Sequence, residues 1–361
     1  MNVRTIVQYR LVNQQIAGTN CSSPEELVRT LGAMQAQEYS QSKWSIGLRL
    51  PHVIDADIEN AFTKGQIIRT HILRPTWHFV SPQDIRWMLS LSAPRVRAAN
   101  SFMYRKLELD NKIFRKTNNV LEKALECGKH LTRTKLAFEL ERKKIIADGF
   151  RLSYIMMHAE LDGIICSGAR EGKQFTYALL DERVASSKPM KNDEALAELT
   201  KRYFNSRGPA TPKDFGIWSG LSLAQVKKGL GMVVNDFNHT KIDNTDYYFP
   251  SIPSNKILSK GISSKQNVHL LPVYDEYIMG YKDRSFYLNL KNKINPSPSF
   301  TFDSTIIIKG QIAGAWRRTI NKNSIDLEYN LFKPLNKTDK KKFLLAVDHY
   351  SKFMGMLVIL K

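Results

Sequence analysis

Cysteine is scarce in this 361-residue sequence, and long apolar runs are missing from it. The three cysteines, Cys21, Cys127 and Cys166, are odd in number and widely spaced, which excludes a disulfide framework and a CxxC metal site. The start of the chain lacks the apolar run of a signal peptide, and no stretch reaches the roughly 18 apolar residues of a transmembrane helix. These absences predict a reduced, cytoplasmic protein with buried thiols and no membrane partner.

The motifs of several large enzyme classes are also absent. There is no GxxxxGK[ST] phosphate loop, no GxGxxG after a predicted strand and no GxSxG nucleophile motif, which argues against ATPases, dinucleotide enzymes and serine hydrolases. His71 and His78 lie seven positions apart without a cysteine or carboxylate cluster beside them, and this spacing disfavours a zinc site. We therefore expect no metal, no nucleotide cofactor and no other cofactor.

Acidic residues are few compared with basic ones. The chain has 54 Lys and Arg residues against 34 Asp and Glu residues, a formal net charge of +20 and a pI of about 9.7. Such a surplus favours polyanionic partners, because contacts to phosphates release counterions and the field of the protein steers encounter. The same charge could instead serve solubility, so composition alone leaves nucleic-acid binding open.

Three segments share a helix-start pattern in which a hydroxyl residue precedes polar residues and then an apolar one: Ser23–Leu27, Thr132–Leu136 and Thr211–Phe215. After the second and third of these, two predicted helices are followed by a short hairpin, which is the element order of a winged helix. The pattern predicts an α+β protein with tandem winged-helix units. We place the first unit at residues 1–110, the second at 111–190 and the third at 191–255.

Residues 256–361 change in character. Short runs of β-forming residues separated by turns predict an antiparallel, β-barrel-like sheet. Thr338 is expected to open a final amphipathic helix that ends near Met354, and Leu357–Leu360 could add one more strand. The segment Asn292–Phe300 is rich in Pro, Ser and Asn and is predicted to be a loop.

Two glutamines, Gln35 and Gln37, stand where a predicted helix from Leu27 to about Gln35 ends. On a continuing helix, side chains two positions apart diverge by about 200° and could not share a target. At a helix end or a turn, both could converge on one groove. The residue types leave two possibilities open: a pair of solvated glutamines, or a pair of amides aimed at one ligand.

The surroundings of these glutamines resemble one known family. LGAMQAQEY (residues 31–39) resembles the Gln-apolar-Gln segment of the AlkZ-like alkylpurine DNA glycosylases, and RTHILRPTWHFV (residues 69–80) resembles their Arg-Thr…Arg-x-Thr-x-His-x-Val stretch. GPATPKDF (residues 208–215) is similar to their third winged helix, and LPVYDEYIMGYKDR (residues 271–284) and GAWRR (residues 314–318) are similar to their C-terminal barrel. Pro75 departs from the pattern, since Gly is expected there in many relatives.

The resemblance implies a monofunctional glycosylase that removes alkylated purines, including bulky adducts or interstrand crosslinks, from double-stranded DNA. An N7- or N3-alkylated purine is already cationic, so catalysis reduces to stabilising an oxocarbenium-like sugar and placing a water. A glutamine carbonyl can accept from that water while its NH₂ donates to sugar or phosphate oxygen. We expect Gln37 to position the water and Gln35 to support it. The resemblance adds Arg74, Thr76 and His78 as active-site support.

Basic residues on the predicted second wing and on the barrel are candidates for contacts with DNA phosphates, although a solvated role is open for each. They are Arg170, Lys173, Lys282, Arg284, Arg317 and Arg318. Successive residues of a strand face opposite sides, so Arg317 and Arg318 cannot both reach phosphate on one side.

Four further residues are assigned mainly structural roles. Trp77 and Trp316 could stack on DNA, but burial in the core is favoured for both. Asp275 and Glu276 are expected to cap a helix or to pair with Lys282 or Arg284.

A non-catalytic alternative is a winged-helix transcription regulator that uses the same basic surface. Such regulators are usually smaller and dimeric and read operators sequence-specifically. The sequence offers no coiled coil or obvious dimerisation helix, so we expect a monomer. Preference for a DNA sequence would favour the regulator, and preference for a lesion with base release would favour the glycosylase.

Overall fold

The computed structural model describes residues 1–186, 189–251, 267–288 and 304–361. The helices are α1 Val3–Asn13, α2 Pro24–Leu31, α3 Tyr39–Gly47, α4 Asp55–Thr63, α5 Ile85–Lys106, α6 Asn111–Leu125, α7 Arg133–Arg142, α8 Gly149–Leu161, α9 Leu180–Arg183, α10 Asn192–Arg207, α11 Pro212–Ser219, α12 Leu223–Val233, α13 Glu276–Met279 and α14 Lys337–Met354. The strands are β1 Ala33–Gln35, β2 Ile68–His71, β3 Trp77–Val80, β4 Leu131–Thr132, β5 Ile165–Ser167, β6 Thr176–Leu179, β7 Phe237–Ile242, β8 Thr245–Pro250, β9 Val268–Leu271, β10 Ser304–Ile308, β11 Gln311–Ile320, β12 Ser324–Leu331 and β13 Leu357–Leu360. Within these ranges, no helix is both long and apolar enough to cross a membrane.

The three helix starts that the hydroxyl patterns predict are all present. The side chains of Ser23, Thr132 and Thr211 accept hydrogen bonds from the backbone amides three residues later, at the first turns of α2, α7 and α11. Each cap satisfies one of the free amides that every helix start exposes.

The predicted helix from Leu27 to about Gln35 is wrong at its end. α2 ends at Leu31, where Gly32 takes a φ of 78° that residues with a Cβ rarely adopt. The chain then forms β1, which pairs antiparallel with β3, and β3 pairs antiparallel with β2. The apolar residues that suggested a longer helix therefore belong to a buried strand.

The helix, helix, hairpin order predicted for the second and third units is present. In the second, α7 and α8 precede the antiparallel pair β5 and β6, and β4 adds a third strand. In the third, α11 and α12 precede the hairpin of β7 and β8. The assignment of these segments as winged-helix units, with boundaries at 110, 190 and 255, stays a prediction, and the boundary at 255 lies outside the described residues.

The C-terminal part is a curled five-stranded sheet in the order β13-β12-β11-β10-β9. Its pairs are antiparallel except for β12 and β13, which run parallel because α14 returns the chain to the same end of the sheet. The predicted last strand is confirmed, whereas the prediction of a purely antiparallel sheet is wrong for that pair. The predicted loop Asn292–Phe300 lies outside the described ranges.

One large apolar core joins the first sheet, the helices α10 to α12 and the C-terminal sheet, and a smaller core lies under α6 to α8. Of the cysteines, Cys21 and Cys166 are buried as expected, but Cys127 is exposed. Cys127 has a φ of 65° just after α6 ends, so it lies in a surface turn, not in the core.

Candidate active site

A strand end brings Gln35 and Gln37 to one place. Gln35 is the last residue of β1 and lies opposite His78 of β3. The amide of Ala36 donates to the carbonyl of Trp77 at 2.7 Å, which continues the pairing beyond β1. Gln35 thus lies beside His78 in the sheet, and Gln37 follows in a bend beyond the end of β1, with its side chain next to the backbone amide of Trp77.

The same register makes this a polar face. Thr70, His78 and Gln35 form one row across the three strands, and Thr76 lies in the bend before β3, with its carbonyl oxygen 2.9 Å from Nδ1 of His78. The hydroxyls of Thr70 and Thr76 are buried and have no hydrogen-bond partner in the described structure. Unpaired buried hydroxyls are costly, so this face offers hydrogen bonds that a water or a ligand could complete.

Arg74 holds the carbonyl oxygen of Gln35. Its Nη2 donates to Oε1 of Gln35 at 3.1 Å and to Nε2 of His78 at 3.3 Å, and its Nη1 donates to the backbone carbonyl of Trp218. Gln35 itself is only 7% exposed. The guanidinium thus fixes the amide of Gln35 and ties the first sheet to α11.

The ring of His78 is buried and neutral. Burial, and then the positive charge of Arg74, hold the pKa of His78 well below its usual value. Its Nδ1 lies 2.9 Å from the carbonyl oxygen of Thr76, which can only accept. The proton is therefore assigned to Nδ1, and Nε2 accepts from Arg74. His78 thus acts here as a hydrogen-bond acceptor for Arg74.

Gln37, in contrast, is exposed. Its Oε1 lies 3.4 Å from the backbone amide of Trp77, and its backbone carbonyl lies 3.5 Å from Nη2 of Arg69. Neither glutamine side chain hydrogen-bonds a carboxylate in the described parts of the chain. The two amides therefore differ in freedom: that of Gln35 is held, and that of Gln37 can reach an incoming molecule.

Glu276 supports the strand from behind. Its Oε1 accepts from the backbone amide of Gln35 at 2.8 Å, and its Oε2 accepts from Nη2 of Arg207 at 2.6 Å and from Nε1 of Trp218 at 2.9 Å. This buried carboxylate was expected to cap a helix or to pair with Lys282 or Arg284, and the predicted ion pair is wrong, because its partner is Arg207.

Asp275 was expected to have the same roles, and for this residue the capping role is confirmed. Asp275 caps α13 through the amide of Tyr277, as expected, but its ion-pair partner is the buried Arg49, at 2.8 Å. Lys282, which is exposed, and Arg284, which is half-buried, follow α13. The carboxylates of Asp275 and Glu276 are instead buried in the core.

Arg69 was not singled out from the sequence, although it begins the resembling stretch RTHILRPTWHFV. It is 6% exposed, its Nε donates to the carbonyl of Ala36 at 2.9 Å, and its guanidinium lies 4.1 Å from the ring centre of Trp77 and 4.6 Å from that of Phe175. Burial lowers the pKa of Arg69 to about 10, so the side chain stays charged at neutral pH. Trp77 is only half-buried.

The predicted core position of Trp316 is confirmed. It is 1% exposed, and its Nε1 donates to the carbonyl of Leu271 at 2.8 Å.

The six predicted DNA contacts lie on three elements: the loop between β5 and β6 (Arg170 and Lys173), the segment after α13 (Lys282 and Arg284), and β11 (Arg317 and Arg318). Lys173 and Lys282 are exposed. Lys213 beside Lys282 lowers the pKa of Lys282. Their contacts with DNA stay predictions.

Arginines of this set already have partners among the described residues. Arg170 pairs with Glu59 at 3.2 Å, Arg284 donates to the carbonyl of Ile278 at 3.0 Å, and Arg318 bonds the hydroxyl of Tyr350. These contacts leave them less free than Lys173 or Lys282 to reach a phosphate.

Comparison with known proteins places these features in one family. A model of the family described as DNA glycosylase AlkZ-like matches residues 28–353. The chain belongs to the AlkZ-like DNA glycosylase family. A curated relative, the "Interstrand DNA cross-link repair glycosylase" of Streptomyces sahachiroi, is 21% identical over 333 residues, which cover 87% of each chain. The solved structure of Streptomyces sahachiroi DNA glycosylase AlkZ superposes with a TM-score of 0.79 over 100% of both chains at 18% identity.

Membership of the AlkZ-like family confirms the resemblance drawn from the glutamine segment. It also confirms the prediction of an enzyme of the DNA glycosylase class and favours it over a transcription regulator. Within the described ranges of this AlkZ-like chain, no group of three or more His, Cys, Asp or Glu residues could hold a metal ion.

Proposed function

We propose that this chain hydrolyses the N-glycosidic bond of cationic N7- or N3-alkylated purines in double-stranded DNA. The observation that carries the proposal is the pairing of a held amide with a reachable one at a single strand end: Gln35 is fixed by Arg74, and Gln37 is exposed two positions later. Among the described residues, no carboxylate hydrogen-bonds the side chain of either glutamine. Such a site suits a cationic base, which leaves the sugar without being protonated.

The proposed division of labour follows from the free atoms of each amide. The carbonyl oxygen of Gln37 is exposed and only weakly engaged, so it accepts a hydrogen bond from the attacking water. The carbonyl of Gln35 is occupied by Arg74, which leaves its NH₂ to donate to a sugar or phosphate oxygen. Gln37 then places the water and Gln35 fixes the sugar, in line with a reaction whose barrier is lowered by orientation.

Arg74, His78 and Thr76 act as positioning residues in this proposal. The neutral ring of His78 gives Arg74 a third hydrogen-bond acceptor without adding a second positive charge. The hydroxyl of Thr76 has no partner among the described residues, and Thr76 directly precedes Trp77, whose amide meets Gln37; we assign this hydroxyl to the water or the sugar.

The substrate range is proposed to include bulky N7 adducts and interstrand crosslinks. The curated relative is named for interstrand cross-link repair, and the exposure of Gln37 at a strand end is compatible with a lesion too large for a closed pocket. We further propose that the protein binds the duplex as a monomer. Its winged-helix units contact the duplex together with the basic residues of the loop after β5, of the segment after α13 and of β11.

Base release from duplex DNA carrying N7-methylguanine tests the proposal. We expect release by wild type and at least about tenfold slower release by Gln35→Ala and by Gln37→Ala, with duplex binding retained, because the lost interactions act mainly in the transition state. Gln66→Ala, which removes an exposed glutamine elsewhere, should match wild type. A wild type inert on this lesion and on a bulkier N7 adduct would refute the enzyme proposal.

A further inference from the structure

A concave site of about 420 Å³ is lined in part by Arg69 and Trp77, which both contact Gln37. Its floor is formed by Arg69 and Trp77, which face away from the row of Gln35 and His78 because they occupy the alternate positions of β2 and β3. Its walls come from the second unit: Thr132 and Arg133 at the start of α7, and Lys173 and Phe175 on the hairpin strand leading to β6.

The charge of this cavity has one sign. Three of the residues that line it are cations, Arg69, Arg133 and Lys173, and none is a carboxylate. None of the three forms an ion pair with any residue that the structure describes. The nearest acidic side chain of the hairpin, Glu171, is already paired with Lys135 at 2.9 Å. The cavity therefore favours an anion.

Arg69 makes this argument specific. A buried charge is costly unless it is paired, and Arg69 is 6% exposed without a direct ion pair among the described residues. The buried carboxylate of Glu160 attracts Arg69 only through space, because it is bonded to His71. Nε and Nη2 of Arg69 donate to the carbonyls of Ala36 and Gln37, while Nη1 has no partner among the described residues and the guanidinium borders the cavity. The protein thus holds a buried guanidinium that no carboxylate contacts directly at the base of this cavity.

The start of α7 adds to the field. Thr132 caps this ten-residue helix by accepting from the amide of Lys135 at 3.3 Å, and Arg133 is its first residue. The first-turn amides of a helix carry a partial positive charge that favours phosphates. Here that charge, the buried guanidinium of Arg69 and the cations of Arg133 and Lys173 line one cavity from three elements. Nη2 of Arg133 also donates to Ser153 and to the carbonyl of Gly149.

We propose that this cavity holds one phosphodiester of the DNA strand close to the nucleotide at Gln37. The inference rests on the glycosylase function proposed above and adds a specific anchoring site to it. Two residues that line the cavity also contact Gln37: the amide of Trp77 at its Oε1 and Nη2 of Arg69 at its backbone carbonyl. A phosphate bound there sets the register between the DNA backbone and the amide that holds the water.

The first experiment compares the double variant Arg133→Ala/Lys173→Ala with Lys112→Ala/Lys116→Ala. The control pair lies exposed on α6 of the same unit and removes the same charge. Binding to a duplex with N7-methylguanine is measured by fluorescence anisotropy at several salt concentrations. We expect about tenfold weaker binding by the first variant, with the slope of log K against log salt smaller by about 1, because one phosphate contact is lost. The control should stay close to wild type.

The second experiment replaces single phosphates near the lesion by uncharged methylphosphonates. At one position, neutralising the phosphate should weaken binding by wild type as much as the substitutions Arg133→Ala/Lys173→Ala do. The same neutralisation should not weaken binding by the double variant any further. Such non-additivity identifies the two partners of one contact. Inorganic phosphate is then added as a competitor at constant ionic strength. Unchanged DNA binding would show that the DNA backbone, not free phosphate, is the ligand of the cavity.

The outcomes separate this inference from the proposed function. Equal weakening by the control pair, or additive effects at every methylphosphonate position, would overturn the phosphate site even if base release is normal. Coupling at one position with no base release would retain the site and refute the glycosylase proposal. Thermal melting of each variant establishes that it is folded before binding is compared.

Discussion

The carboxylate of Glu276 accepts a hydrogen bond from the backbone amide of Gln35 at 2.8 Å, although 241 positions separate the two residues. The same carboxylate accepts from Arg207 and Trp218, and the carbonyl of Trp218 accepts from Arg74, which returns to the side chain of Gln35. This closed circuit fixes both the backbone and the side chain of Gln35. Three distant segments thereby determine the position of one amide.

Glu276→Gln is expected to destabilise the protein strongly. It removes a buried negative charge and leaves the guanidinium of Arg207, which is 0% exposed, without its ion partner. Breaking a buried pair by removing one member typically costs about 3–5 kcal/mol, so the free energy of unfolding in urea should fall by about that amount. Glu126→Gln, at an exposed position, should change it by less than about 0.5 kcal/mol. Equal values for the two variants would show that the circuit does not contribute to stability.

Arg74→Lys separates charge from geometry at the site. Lysine keeps the positive charge but cannot hold Gln35, His78 and the carbonyl of Trp218 with one rigid fork. We expect the single-turnover rate of base release to fall at least about tenfold while the Kd for the lesion duplex changes by less than about threefold. Arg95→Lys, on an exposed part of α5, provides the matched control. Weaker binding with an unchanged rate would instead indicate that Arg74 contacts DNA directly.

The neutral state of His78 predicts a dependence of stability on pH. Burial holds its pKa well below 6.5 in the folded protein, so the unfolded chain takes up a proton first as the pH falls. Its contribution is fully present above about pH 6.5 and is lost progressively below that value, by at most about 1.4 kcal/mol per pH unit. Unfolding in urea at several pH values should therefore show a shallower loss for His78→Asn than for wild type. Parallel curves would mean that His78 is not buried in its neutral form.

Local features of this fold could be predicted from the sequence. The caps at Ser23, Thr132 and Thr211 and the hairpin at Asn244 depend on side chains within a few residues of one another. The end of α2 was misplaced because apolar residues at Leu31 and Met34 fit one face of a helix as well as a buried strand. Gly32 was the available signal for that boundary.

The supports of the site depend on contacts that no local pattern contains. The pair of glutamines could be picked out because the residues around it resemble a family, but the strand that aligns them forms only by pairing with β3. Glu276 stood in a quoted stretch, yet nothing near it in sequence indicates Gln35 as its partner. Arg69 meets Phe175 only when two units pack together, so its place at the floor of a cavity could not be derived from spacing.

The unpaired hydroxyls of Thr70 and Thr76 allow function to be separated from stability. Removing a buried hydroxyl that has no partner spares its desolvation cost, so Thr70→Val and Thr76→Val should each stabilise the protein by about 1 kcal/mol. Thr117→Val is the matched control, because its buried hydroxyl donates to the carbonyl of Phe114 at 2.9 Å and its loss should destabilise by about 1 kcal/mol.

If the hydroxyl of Thr76 serves the water or the sugar, Thr76→Val will release N7-methylguanine more slowly although it unfolds at higher urea concentration. Sites that bind a substrate commonly keep such unsatisfied groups at a cost in stability. Thr70→Val, one strand further from Gln37, should gain stability with a smaller loss of rate. Equal rates for both variants and wild type would assign the two hydroxyls to the packing of the sheet and remove Thr76 from the site.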